Sequence, residues 1–358
     1  MSSQPPHSGY HWDGITPRFF EGWYFRVMIP QLADGFAFMY SIQDPRGGQV
    51  NSGGAVQILA IESNYLCRTF PDTDKFWASR QELAIIHWGK TNLKIRPCLL
   101  SPSDFFESVQ EGYQATANQQ QGRIYDPVTG EICQWDYRVE TRYSWGDKKR
   151  PPQATAGILS YLPIFDPGWQ ILTAHGLATG MITHRGKNYQ FENVPFYSEK
   201  NWGYSFPEKW FWINCNAFPE NPDLTLTAVG ATRKVINWTE SVGIIGIHWQ
   251  NRFYKFDIWN SQLTWTVQPW GYWEMRATNE NYTIVLIGIS DHPPDRVRVP
   301  TEKGLSFACQ DTLKGKLSIK LADSRGKILI NSSSCLAGLE IGGIWPSAWI
   351  KQGVKSPY

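Results

Sequence analysis

The chain has 358 residues, more than one hydrophobic core of typical size supports, so two domains are expected. Lys and Arg number 34 against 32 Asp and Glu; this net charge of +2, without a long basic run, excludes an electrostatic footprint for nucleic acid. Charged residues are 18% and aromatics 15%, with 18 Trp, a composition suited to apolar pockets whose large rings also present a hydrogen-bonding edge.

In chain order, Met1-Ser2-Ser3-Gln4-Pro5-Pro6 lacks the basic and apolar regions of a secretory signal and the Arg- and Ser-rich character of a transit peptide. A cytoplasmic or membrane-peripheral location is therefore expected. The six cysteines include no C-x-x-C pair and read as thiols rather than a disulfide framework. His7 and His11 are four apart, but Pro5, Pro6, Ser8 and Gly9 argue against a helix that would align them for a metal. Residues 36–42 and 55–59 are strand-like and flank the turn-rich Asp44-Pro45-Arg46-Gly47-Gly48. Residues 101–111 read as one short helix, with Ser101 as cap, Pro102 in the first turn, and Phe105, Phe106 and Val109 on one face. The weakly charged stretch 151–165 carries three prolines and is too short to span a bilayer.

Strand-like runs at 224–229, 243–249, 252–259, 262–267, 272–277, 282–289, 315–322 and 326–331 fill the second half. Short β-branched and aromatic runs separated by Gly, Pro, Asn and Asp predict an all-β protein of barrels or sandwiches. Glu21-Gly22-Trp23 and Glu199 with Trp202-Gly203 form a weak internal echo, each an acid beside a Gly–Trp pair. Taken as the opening of two halves, the echo puts the boundary near residue 190, giving domains 1–190 and 191–358. Closed antiparallel barrels of about eight strands can enclose one small ligand.

The stretch Tyr197-Ser198-Glu199-Lys200-Asn201-Trp202-Gly203, running on to Trp210-Phe211-Trp212, carries the most chemistry. It sets a carboxylate and an ammonium among large rings. A carboxyl stripped of water by aromatic walls holds its proton more tightly and can become a general acid. Neighbouring rings can stabilise a cation made by that proton. On a strand, adjacent side chains face opposite sides, so Lys200 should point away while Tyr197 and Glu199 share a face. Asp13, Glu21, Asp166 and Glu340 also lie in aromatic or glycine-rich company. Asp13-Gly14 and Asp166-Pro167-Gly168 are ordinary turn chemistry, whereas Glu21 and Glu199 are not. Two carboxylates among rings also fit a glycosidase, but the Asn, Gln and Arg clusters that sugar hydroxyls require are missing. No metal cluster, phosphate loop or G-x-S-x-G elbow is legible, so neither metal nor cofactor is expected.

The segments His7 to Trp12, Phe19 to Arg26, Phe36 to Ser41, Gly53 to Leu59, Lys75 to Ser79, Ala154 to Leu172, Glu199 to Trp212 and Ala337 to Gly343, in this order, resemble the tocopherol cyclase family. More distantly, Tyr197-x-Glu199-x-Asn201-Trp202-Gly203 is similar to a pattern in carotenoid hydratases and related two-domain lipocalin-like enzymes; some of those carry aspartate where this chain has Glu199. The resemblance implies two lipocalin-like β-barrel domains packed together with an apolar pocket. It also implies an intramolecular lyase that closes a phytylated benzoquinol to a chromanol without a redox cofactor. Its partners would be a hydrophobic prenylquinol and, peripherally, a photosynthetic membrane or lipid droplets, in a photosynthetic bacterium. The chemistry of that reaction makes Glu199 the expected proton donor and Asp166 or Glu21 the acceptor that orients the quinol hydroxyl. Trp23, Trp169, Tyr197, Asn201, Trp202, Trp210 and Trp212 are the expected substrate-binding residues, with Tyr197, Trp202 and Trp212 keeping Glu199 neutral. A non-catalytic prenyl-lipid carrier and a hydratase that captures the cation with water are the competing readings.

Overall fold

The computed structural model describes residues 4–161, 167–235, 238–301 and 303–345. Its strands form two antiparallel sheets, each wrapped on its own core, and the protein is all-β. The first sheet contains β1 (Phe20–Ile29), β2 (Asp34–Gln43), β3 (Gly53–Ala60), β4 (Asn64–Phe70), β5 (Phe76–Ala78) and β6 (Ala84–Thr91). It continues with β7 (Val109–Thr116), β8 (Gln119–Tyr125), β9 (Ile132–Tyr143), β10 (Gly168–His184) and β11 (Lys187–Gly203). Its spatial order is β4-β3-β2-β1-β11-β10-β9-β8-β7-β6-β5, a half-barrel in which the last strand returns to lie beside the first.

The second sheet contains β12 (Lys209–Cys215), β13 (Thr225–Val235), β14 (Trp238–Trp249), β15 (Arg252–Asp257) and β16 (Gln262–Val267). It ends with β17 (Tyr272–Thr278), β18 (Tyr282–Ile289), β19 (Asp295–Thr301), β20 (Gly304–Asp323) and β21 (Ile328–Gly343). Here too the last strand pairs with the first, in the order β15-β14-β13-β12-β21-β20-β18-β17-β16, with β19 on β20, and the barrel is nearly closed.

Two-residue periodicity makes these strands. In β1, Trp23, Phe25, Val27 and Ile29 enter the first core, and in β12, Phe211, Ile213 and Cys215 enter the second. The alternate residues, Tyr24 and Arg26 in the first sheet and Trp210 and Trp212 in the second, fall on the opposite face. The hairpin expected around residues 44–48 forms, with Ala37 opposite Leu59 in β2 and β3. The expected helix is α1 (Pro102–Ser108), where Ser101 accepts the Asp104 amide at 3.2 Å. It stops before Val109 because that residue is buried as the first position of β7.

The chain forms two units: Phe36–Ser205 lies in the first and Phe206–Thr301 in the second, while Pro30–Gly35 falls with the second. Residue 190 lies inside β11, whose long pairings with β1 and β10 keep the whole strand in the first unit. The internal echo also has a different meaning. Glu21-Gly22-Trp23 and Glu199–Gly203 are neighbouring strands of one sheet, with Glu21 opposite Trp202 and Trp23 opposite Lys200. Among the described residues, no helix is long and apolar enough to cross a membrane.

Candidate active site

β11 sits between β1 and β10, so residues from three strands meet around its last turn of sequence. On the face away from the core, Tyr24 is opposite Glu199, Ile171 is opposite Glu199 and Trp169 is opposite Asn201. Tyr197, two positions before Glu199, shares that face. Glu199 is 8% exposed and Tyr197 fully buried. The Tyr197 hydroxyl donates to Glu199 Oε2 at 2.5 Å, and the Trp169 indole N–H donates to the same oxygen at 3.0 Å. Two donors on one oxygen stabilise an ionised carboxylate, yet they also suit a carboxylic acid whose carbonyl oxygen accepts while the other oxygen carries the proton.

The core-facing side of the same strands carries a different cluster. Lys200 and Glu21 are both fully buried and form an ion pair. Lys200 Nζ also donates to Gly9 O at 2.7 Å and to His11 Nδ1 at 3.2 Å, so its three protons have three acceptors. Glu21 Oε2 accepts the His11 amide at 2.8 Å. Burial pushes the Glu21 carboxyl up, but the Lys200 ammonium and the His11 contacts outweigh it and hold it below the usual carboxylate value. Burial likewise lowers the Lys200 ammonium, with Glu21 opposing. The Lys200 ammonium lies 5.5 Å from the Trp23 ring and 5.3 Å from the Trp202 ring.

Trp202 stacks on His11 with ring centroids 3.9 Å apart and 3° between planes, and on His7 at 4.9 Å. His7 Nδ1 is 3.1 Å from His11 Nε2, and His7 Nε2 is 2.9 Å from Ser160 Oγ. His7 therefore has its pKa pulled down to about 4, first by burial and then by His11 and Lys200; burial also lowers His11.

The expected site residues thus separate. Trp169, Tyr197, Glu199 and Asn201 come together on the outward face. Trp23, Trp202 and Glu21 lie on the inward one with Lys200. Lys200 points away from Glu199, as strand alternation requires. Trp202 does not wall Glu199; Trp169 supplies the indole there, since Trp202 is an odd number of positions away and turns inward. Glu21 is committed to Lys200 and His11 rather than standing ready to orient a quinol hydroxyl. Asp166 lies outside the described residues.

Trp210 and Trp212 belong to the second unit, on the outward face of β12, where Trp212 is opposite Glu340 of β21. The Trp210 indole donates to Glu340 Oε1 at 2.5 Å. It lies across Gly342, where a Cβ would come within 1.9 Å of the ring. Burial pushes the Glu340 carboxyl above its ordinary value, opposed by bonds from Trp210 and Cys309. Among the described residues, no cation pairs with Glu340.

Sequence reading missed the His7–His11–Ser160 chain and the Trp210–Glu340 bond. The histidines meet without a helix, through a turn in which His7 adopts φ 59°. Glu340 carried a signal, its aromatic and glycine-rich setting, but its partner is 130 residues away.

The family model described as "Tocopherol cyclase-like" matches residues 17–343. The chain is 38% identical over 374 residues to the probable chloroplastic tocopherol cyclase of Oryza sativa subsp. japonica, covering 96% of this chain and 80% of that protein. It is 38% identical over 378 residues to the chloroplastic tocopherol cyclase of Zea mays, covering 97% and 80%. The crystal structure of CghA superposes with a TM-score of 0.50 at 9% identity, over 96% of this chain and 94% of that one, a likeness of fold alone. With a family match over most of its length and relatives this similar, the chain belongs to the tocopherol cyclase-like family.

Proposed function

We propose that the protein closes a phytylated benzoquinol, of the dimethylphytylbenzoquinol type, to a chromanol, as an intramolecular lyase of the isomerase class. A proton passes from Glu199 to the CH carbon of the trisubstituted tail alkene, leaving a tertiary cation. The quinol oxygen bonds to that cation and loses its proton to a carboxylate, for which Asp166, three positions before Trp169, is our assignment. Solvent exchange then returns both groups to their starting states, and no atom is gained or lost by the substrate.

The observation that carries this reading is the convergence of the Tyr197 hydroxyl and the Trp169 N–H on Glu199 Oε2, with Lys200 turned to the other face. Oε1 is then the oxygen that bears the transferable proton. Names of relatives support the reaction class. One desolvated ring over the cation contributes ~2 kcal/mol, far short of the ~8–23 kcal/mol an enzyme supplies. Holding the quinol oxygen against the alkene must contribute much of the remainder.

Incubation of the protein with the prenylquinol in heavy water tests the reading. Cyclisation gives a product of the substrate's composition with one deuterium on the new ring carbon. Addition of one water would make the protein a hydratase, and an unchanged prenylquinol would make it a carrier.

A further inference from the structure

We propose that His11 is a positioning residue for the Glu199 site, acting through Trp202 and Gly168 on Trp169; this rests on the assignment of Glu199 as acid. His11 packs on Lys200 and Trp202, on the opposite side of the sheet from Glu199 and Trp169. Its influence passes through the sheet in three steps.

First, the His11 ring is fixed at both nitrogens. Lys200 Nζ can only donate, so His11 Nδ1, 3.2 Å away, accepts; Glu21 Oε1 at 3.4 Å is the longer contact. His11 then carries its proton on Nε2 and donates it to His7 Nδ1 at 3.1 Å. His7 donates from Nε2 to Ser160 Oγ at 2.9 Å, and that hydroxyl donates to Gly157 O at 2.8 Å. Every donor in this chain points the same way, which leaves neither imidazole free to rotate. The His11 amide on Glu21 Oε2 and the Lys200 bond to Gly9 O hold the backbone on either side.

Second, the fixed ring lies flat on Trp202, 3.9 Å between centroids and 3° between planes. Third, Trp202 lies on Gly168, its partner across β10 and β11; a Cβ at 168 would come within 2.2 Å of the indole. Gly168 precedes Trp169, whose side chain emerges on the other face and donates to Glu199 Oε2. The stack of His11, Trp202 and Gly168 therefore sets the height of the strand end that aims the Trp169 N–H.

The test uses the full chain labelled with ¹⁵N-tryptophan, the Trp169 indole resonance being assigned by its loss in Trp169→Phe. Glu199→Gln should shift that resonance directly. His11→Ala should shift it as well, with kcat about tenfold lower and KM changed less than about threefold. His11→Phe, which restores a ring over Trp202, should bring both back toward wild type. Should His11→Ala not fold, His11→Gln keeps a polar group for Lys200 but removes the stack, and should shift the resonance in the same way. A His11 variant that lowers Tm while the Trp169 resonance and kcat stay unchanged assigns a purely structural role and overturns the proposal. If the resonance follows His11 but Glu199→Gln turns over normally, the positioning chain stands and the acid assignment alone fails.

Discussion

Glu199 and Lys200 are neighbours in the chain and opposites in the sheet. Glu199 turns outward to Tyr197 and Trp169, and Lys200 turns inward to a fully buried Glu21. One peptide bond thus separates a carboxyl held by neutral donors from an ammonium saturated by a carboxylate, a carbonyl and an imidazole. Strand alternation alone keeps the ammonium off the face on which Glu199 meets Tyr197 and Trp169.

The Glu21–Lys200 pair should behave as a unit. Glu21→Gln or Lys200→Met alone leaves one buried charge without its partner and should cost roughly 3–5 kcal/mol. The double variant should cost clearly less than the two losses added together. Urea unfolding of the three variants measures this; additive losses would mean the two charges are stabilised independently.

Much of this was legible beforehand, for definite reasons. The all-β class followed from short β-branched and aromatic runs between turn residues, in segments such as β2 and β18. The opposite facing of Glu199 and Lys200 followed from strand alternation alone. Pairings over long stretches of chain were not legible. Glu21 meets Lys200 only because the last strand of the unit returns beside the first, and Trp169 reaches Glu199 only through the register of β10 on β11. The same return joins β11 to strands nearly the whole length of the unit away. The histidine turn depends on a positive φ at His7, which no residue pattern announced.

Stability should fall with acid. His87 is fully buried, its Nε2 bonded to Asp72 O at 3.0 Å, and burial pulls its pKa down to about 4; His7 is likewise held at about 4. Folding thus keeps both imidazoles neutral, while the unfolded chain takes up protons below the ordinary value of 6.5. Their contribution is complete above about pH 6.5 and is lost as pH drops towards about 4. His87 alone accounts for about 3 kcal/mol of that loss. Urea midpoints between pH 7.5 and 4.5 should decline, and His87→Gln should flatten the slope; a slope unchanged in that variant would contradict the assignment.

Glu340 should hold its proton to a higher pH than an ordinary carboxyl, because burial raises it. Difference infrared spectra of the wild type against Glu340→Gln at pH 7 should show a protonated carbonyl band that the variant lacks. Gln keeps an oxygen for the Trp210 N–H, so the variant should still fold and serve as the reference spectrum. A carboxylate band in its place would mean that the bonds from Trp210 and Cys309 outweigh burial.

Tyr197→Phe and Trp169→Phe each remove one donor from Glu199 Oε2 and should each lower kcat about tenfold, the equivalent of ~1.4 kcal/mol. Because both act on one atom, the double variant should depart from the product of the single effects. Steady-state rates for the four proteins check it; two silent single variants would remove these donors from the mechanism.

The central claim, that Glu199 supplies the proton, is tested most directly by turnover of Glu199→Gln with the prenylquinol. Glutamine keeps the shape and an oxygen for Tyr197 and Trp169 but has no acidic proton. The account predicts a kcat lower by ~10² or more with substrate binding largely kept. Near-normal turnover in Glu199→Gln, with Asp166→Asn inactive instead, would contradict it.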